Sequence, residues 1–418
     1  MFDHIKFLIS NLREQLWVRP LAMCLVSITS VFGAKLADRL DILKRVPEID
    51  VGTTADLLKI LASSMLVIAV FAVGSMVSSY GSAARTATPR SLPLVISDDT
   101  SQNALSGFIG AFIFSIVAFV AVKAGFYGHA GNFVLFCMTL MVLAGVILVF
   151  VWWVDHIARL GRLGSTIEKV EVATAAAIRK RRKEMTLGAC RAGVWDGRHV
   201  DLEIGSIGYL QHIDVNSVQE WAGRRDCRVE ILALPGTFCC PGRPVVRVFA
   251  EGEELDSTEK RELEKAFVVG KVRTFEDDPR FGLVSLSEIA IRALSPAVND
   301  PGTAIQIIGS FVRLFHLWGG PADSEESKEA GFDRVAVPEI ETSDLFEDAF
   351  LTIARDGAAF VEVGVRLQKA LASLASLPHG EIRACARRYS EVALARSEKA
   401  LELDDDTRAV KEAARHVG

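Results

Sequence analysis

Four long apolar stretches fall within the first 154 residues of this 418-residue chain, at about Trp17–Leu36, Leu57–Tyr80, Ala104–Ala124 and Phe133–Val154. A helix rises ~1.5 Å per residue, so ~20 apolar residues cover the ~30 Å hydrocarbon layer of a bilayer. Backbone amides find no water there, so a run of this kind crosses as a helix whose hydrogen bonds close internally. The pattern predicts four transmembrane helices. The first stretch is the least apolar, with Arg19 and Pro20 at its start and Lys35 near its end. Proline is tolerated in a first helical turn, and both cations can reach an interface along their own stems. No small-residue cleavage site accompanies it, so it reads as a retained anchor.

The rest of the chain is polar and carries no comparable run. Charged residues make up 24% of the sequence and concentrate outside the apolar stretches. The net charge of -5 is too small to point to nucleic acid as a partner. The expected fold is an α-helical integral membrane protein with a cytoplasmic α+β domain, a small β module followed by a helical bundle. The expected divisions are a transmembrane domain over 1–154, an amphipathic connecting helix over 155–187, the β module over 188–252 and the helical domain over 253–418.

Lysine and arginine beside the spans set the orientation. Lys6, Arg13 and Arg19 precede the first span, Arg85 and Arg90 separate the second from the third, and Arg179–Lys183 follow the fourth as an unbroken basic run. The connection Gly125–Asn132 has no Lys or Arg, whereas the charges of Lys35–Lys59 are mixed. Both termini and the large polar tail are therefore expected in the cytoplasm. The seven cysteines show no metal-ligand spacing, and Cys239–Cys240 are too close in sequence for an ordinary bridge. Free thiols in a reducing compartment are expected.

Three sets of residues are candidates for function. Ser64, Ser75, Ser78 and Ser82 form a stripe on the second span. Such a stripe either lets helices approach closely in lipid or lines a pore. Asp98 and Asp99 stand before the third span, as helix caps or as pore-mouth carboxylates that bind cations. Asp99 with Gln102 has the spacing of a capping box. In the connection Ser295–Gly302, Ser295, Asn299, Asp300 and Thr303 read either as a capped turn between helices or as a loop for a small ion or anion. Past the fourth span, apolar residues recur every three to four positions from Ile157 to Ala177, which predicts a continuous amphipathic helix over Asp155–Met185. Its basic end reads as a topological anchor with affinity for anionic headgroups.

In the polar half, short strands are predicted at Val194–Trp195, Val200–Ile204, Gly208–Ile213, Arg228–Ala233 and Val245–Phe249, with a helix near Val215–Arg224. After Gly252 the pattern is helical: about Ser257–Val269, Leu283–Leu294, Thr303–Leu317, Ser343–Ala359, Val361–Ser376 and Glu381–Glu402. Pro321–Glu329 reads as an acidic disordered loop.

Several phrases carry a family resemblance. They are Thr88-Pro-Arg90, Gly107-Phe-Ile-Gly-Ala-Phe112, Gly208–Asp214, Asp278–Leu283 and Arg292–Ala304. Together they resemble the bacterial membrane-protein family known as domain of unknown function 2254. The resemblance covers nearly the whole chain and implies membrane spans followed by a cytosolic domain. It brings no activity and no catalytic residues.

No nucleophile–base constellation, His-rich metal spacing or phosphate-cradling glycine loop stands out, and the eight histidines are scattered. No catalytic residue, metal site or cofactor is therefore expected. No Asp, Glu, Lys, Arg or His lies in the middle of spans two to four, which argues against proton-coupled transport. The expected function is a homo-oligomeric passive ion channel or pore gated by its cytoplasmic domain. The alternative is a membrane-anchored sensor or scaffold whose cytosolic domain binds a small ligand or a partner protein.

Overall fold

A computed structural model describes residues 18–39, 47–96, 98–193, 195–249, 255–320 and 331–417. The expected elements at Val194 and Pro321–Glu329, and the basic residues Lys6 and Arg13, lie outside the described residues. The chain divides into two compact units, Phe2–Thr166 and Ile167–Gly418.

The first unit consists of α1 (Val18–Ala34), α2 (Val51–Thr86), the short α3 (Leu92–Ile96), α4 (Asp99–Lys123) and α5 (His129–Leu160). Four helical segments are long and apolar enough to cross a membrane. They correspond to the four stretches read from the sequence, so the unit is a transmembrane domain. The second span's helix runs well past its apolar stretch because its first turn is capped. The Asp50 carboxylate accepts the Thr53 N–H at 2.9 Å. Helix α4 packs against α1, α2 and α5. Leu61, Met65, Ala69 and Ala72 of α2 meet Phe108 and Ala111 of α4 and Val146 and Trp153 of α5 in one buried cluster. The alanines permit the close helix approach that association in lipid requires. At the other end, Asp38 accepts the N–H groups of Gly128 and Gly131 at 2.8 and 2.7 Å, which satisfies amides around the start of α5. Leu66, Val67, Val70, Phe71, Leu148, Val151 and Trp152 point outward and are exposed on the unit's surface. Hydrocarbon suits such a surface, and water does not.

The second unit is an α+β domain. Helix α6 (Leu163–Lys183) leads into it. A break at Gly161–Arg162 separates α6 from α5, so the single helix expected over Asp155–Met185 is two helices. Strands β1 (Ala189–Arg191), β2 (Val200–Leu202), β4 (Arg228–Ile231), β6 (Val246–Phe249) and β8 (Phe332–Val337) form one sheet in the order β1-β8-β4-β6-β2. A second sheet is ordered β5-β3-β7, from Phe238–Cys239, Gly208–Ile213 and Phe267–Gly270. Between β3 and β4 lies α7 (Val215–Arg224), whose first turn is capped by Asp214. Helix α8 (Ser257–Glu264) opens on a capping box built from Asp256 and Glu259.

Two of these strands correct the expectation that everything after Gly252 is helical. Phe267–Gly270 pairs antiparallel with β3 and is not the end of a helix. Phe332–Val337 inserts between β1 and β4, parallel to both. Its partners lie more than a hundred residues earlier in the chain, a range at which local periodicity carries no information. The helical bundle comprises α9 (Pro279–Ala293), α10 (Pro301–Gly319), α11 (Thr342–Phe346), a π-type turn (Glu347–Leu351), α12 (Thr352–Asp356), α13 (Val361–Ala375), α14 (Gly380–Ala400) and α15 (Asp404–Ala414). Phe311, Phe315, Phe346 and Phe350 are all fully buried and stack on one another at the bundle's centre.

Helix α6 buries a stripe of Ile167, Val170, Thr174, Ala177 and Arg181, each three or four residues from the last. Thr174 packs against Gly282 of α9. A Cβ at Gly282 would sit 2.0 Å from the Thr174 hydroxyl, and Thr174 is only 1% exposed, so it has nowhere to move. Gly282→Ala should therefore destabilise the soluble domain by ~1–3 kcal/mol, as overpacking does. Thermal melting of the full-length protein would register the loss, and an unchanged midpoint would refute this packing.

Candidate functional site

A set of charged side chains, several of them buried, gathers around Asp277-Asp278-Pro279-Arg280, the connection between β7 and α9. Asp278 is the N-cap of α9 and accepts the Phe281 N–H at 3.1 Å, with Pro279 at the first helical position. The same carboxylate takes both prongs of the Arg273 guanidinium, at 2.7 and 2.9 Å. Asp277 accepts His212 Nδ1 of β3 at 2.6 Å and an ion pair from Lys180 of α6. Its backbone carbonyl accepts Arg181 Nη2 at 3.3 Å. Arg280 forks onto Asp348 at 2.6 and 3.3 Å and also pairs with Asp344, so it ties α9 to the π-type turn and α11. Gly236 closes the cluster from the β module. Its φ is +97°, and a Cβ there would lie 2.3 Å from Asp278 Oδ2.

Burial shapes these groups in different directions. It pushes the Asp277 carboxyl up, but the hydrogen bonds from His212 and Lys180 outweigh it and hold the group below its ordinary range. Asp278 is only 2% exposed, and burial pushes its carboxyl above the ordinary range despite the Arg273 fork. Burial pulls the Arg181 guanidinium down, while Asp277 and Asp278 act to raise it. Arg181 is 3% exposed, and its Nη1 has no hydrogen-bond partner among the described residues.

The cluster draws on α6, β3, the β7–α9 connection, α9 and α11. Every carboxylate named in it is engaged by Lys180, Arg273 or Arg280. Its chemistry is that of an ionic clamp joining the helix that follows the last span to both halves of the soluble domain. Among the described residues, no three His, Cys, Asp or Glu side chains are grouped to hold a metal ion.

The three candidate sets read from the sequence lie elsewhere. On α2, Ser64 and Ser78 are exposed and Ser75 is half-buried, on the flank of the helix roughly 100° around from buried Met65, Ala72 and Met76. Ser82 donates its hydroxyl to the Gly161 carbonyl at 3.2 Å. Asp98 is buried, caps α4 through the Ser101 N–H at 3.0 Å, and meets His156 Nε2 at 2.8 Å. The cap is thus Asp98, one residue earlier than the Asp99–Gln102 box. Gln102 instead donates to the Ile96 carbonyl at 3.2 Å. Asp99 is exposed and ion-paired with Arg19, which also donates to Asn103 at 2.8 Å.

In the Ser295–Gly302 connection, Ser295 donates to the Arg292 carbonyl at 2.7 Å. Both Asp300 oxygens engage Thr303, at 3.1 Å to its N–H and 2.6 Å to its hydroxyl. Asn299 takes a left-handed φ of 52°, and the Asp300 N–H bonds back to the Ala293 carbonyl at 2.8 Å. These contacts make the connection a capped turn closed on itself.

The basic run behaves differently from a simple anchor. Lys180 and Arg181 turn into the ionic cluster, and Arg182 donates to the Gly320 carbonyl at 2.8 Å. Arg181 continues the buried stripe of α6, and that periodicity was the signal that could have exposed it.

A transmembrane domain joined to a soluble α+β domain defines the class: an integral membrane protein with a large soluble module. The family described as "Predicted membrane protein (DUF2254)" matches residues 13–373, and the chain belongs to it. The uncharacterized proteins MT1328 of Mycobacterium tuberculosis (strain CDC 1551 / Oshkosh) and Mb1321c of Mycobacterium bovis are each 36% identical over 105 residues. That match spans 24% of this chain and only 20% of the length of each relative. No solved structure matches the chain.

The Asp277 arrangement carries a pH signature. A carboxyl whose folded pKa lies below its unfolded value of ~3.9 contributes stability that is complete above that value. The contribution is lost as pH falls through the folded pKa. Asp277→Asn should therefore lower the melting temperature by a constant amount at neutral and mildly acidic pH, with the gap to wild type closing under strong acid. A gap that stays constant into strong acid would contradict the assignment.

Proposed function

We propose that the protein is a homo-oligomer of the bacterial inner membrane, with both termini cytoplasmic, that conducts small ions passively along a path between its subunits. The observation that carries this reading is the direction of the α2 serines. Ser64 and Ser78 are exposed on the flank of α2, beside the face where Leu61, Met65, Ala69 and Ala72 are packed. Hydroxyls directed outward gain most from a partner helix or a thread of water, and a second subunit supplies both. Closed point symmetry is the default for such an assembly. The distribution of lysine and arginine beside the spans supports the orientation.

The soluble domain is the gate in this reading. Only Gly161 and Arg162 separate α6 from the end of α5. Its last turn is gripped by the Asp277 cluster, and its middle by the Glu171–Arg313 pair at 2.6 and 2.7 Å. Movement of the domain would be transmitted to the fourth span through that helix. A second reading, a membrane-anchored sensor or scaffold, draws support from the unpartnered Arg181 Nη1, a buried cationic donor of the kind an anionic ligand satisfies.

Recording from the purified protein in planar bilayers separates the two. The channel reading expects unitary currents that fall when Ser78→Leu is introduced, with no loss of folded yield because Ser78 is exposed in the subunit. Silence across voltage, membrane tension and common ions would overturn it in favour of the sensor.

A further inference from the structure

The transmembrane domain contains a cavity of about 370 Å³ at mid-span, between α1, α4 and α5. Met23, Phe114, Met138 and Val142 are among the side chains that line it, and its polar groups are already spent. Ser27 donates to the Gly110 carbonyl at 2.9 Å, and Ser30 to the Ser27 carbonyl at 2.7 Å. The glycines in its wall are of two kinds. Gly110 lies tight against α1, where a Cβ would come within 3.1 Å of Met23 Cβ, so helix approach accounts for it. Gly107 and Gly145 face open space, and a Cβ at either would meet no atom within 4 Å. Packing within the subunit gives no reason for these two to lack side chains. Their effect is to keep the cavity open.

We infer that this cavity is a binding site for one acyl chain of a bilayer lipid. An apolar cavity without free donors or acceptors stays dry and takes apolar guests, and an empty one forfeits dispersion contacts along its lining. At this depth the surrounding solvent is hydrocarbon, so acyl chains are the guest at hand. A helix from a second subunit, ~10 Å across with its side chains, is too wide to enter a space of this volume. A single methylene chain is not. The inference stands whether or not the protein conducts.

The test uses the full-length protein in vesicles of phosphatidylethanolamine and phosphatidylglycerol, doped with a phosphatidylcholine whose acyl chain carries a mid-chain diazirine. After photolysis, mass spectrometry maps the label. A bound chain should concentrate label on Met138 and Val142 rather than on Met141 of the same helix, although Met141 is far more exposed. The pair Gly107→Leu and Gly145→Leu should abolish label at Met138 and Val142 while sparing that at Met141. Label that follows exposure alone, or that survives the filled cavity, would overturn the inference. So would a disulfide between subunits in Gly145→Cys with Cys24 and Cys137 replaced, because it would put a second copy at the cavity mouth. Should the double variant not fold, the contrast between Met138 and Met141 in the wild-type protein still decides.

Discussion

The backbone's need for hydrogen bonds in hydrocarbon governs the first third of this chain. Where no water is available, each amide must find a partner within its own helix, and α1, α2, α4 and α5 meet that demand. What remains is to satisfy the helix ends, and short acidic side chains do so. Asp50 caps α2, Asp98 caps α4, and Asp38 reaches the amides around the start of α5. Side-chain packing then arranges the helices, with alanines and a glycine where two backbones come close.

The soluble domain meets a different demand. Its ionic cluster removes four carboxylates and several cations partly or wholly from water, a cost that only close pairing offsets. Arg273 with Asp278, Arg280 with Asp348, and Lys180 with Asp277 supply that pairing. Because the members come from α6, β3, α9 and α11, the cluster fixes one mutual arrangement of those elements. The presence of a π-type turn at Asp348 fits this picture, since such turns re-aim side chains in an otherwise regular helix.

The membrane half was largely legible in the sequence, because ~20-residue apolar runs leave a single structural solution. Gly208–Ile213 and Val215–Arg224 were legible too, as a short strand bounded by turn residues and the helix that follows it. Phe332–Val337 was not, since its place in the sheet depends on pairing with strands far away in the chain. The cluster was half visible. Asp278–Leu283 stood out as a phrase of the family resemblance, yet Asp277 and the partners Lys180, His212 and Asp348 lie outside it, and no spacing rule joins them. The helix caps were foreseen in kind, with Asp300 placed correctly and Asp98 displaced by one residue from the expected box. The cavity beside Gly107 and Gly145 could not be read at all, because an absence of neighbours has no local signature.

The central functional claim is that water reaches the outward serine face of α2. Cysteine scanning tests it most directly, using a membrane-impermeant, water-soluble thiol reagent on native membranes in a background free of Cys24 and Cys137. The account predicts that half-buried Ser75→Cys and exposed Ser78→Cys react, whereas Val70→Cys and Val77→Cys, both exposed on the subunit, do not. Uniform silence at the serine positions would mean that this face is packed or bathed in lipid, and would contradict the claim.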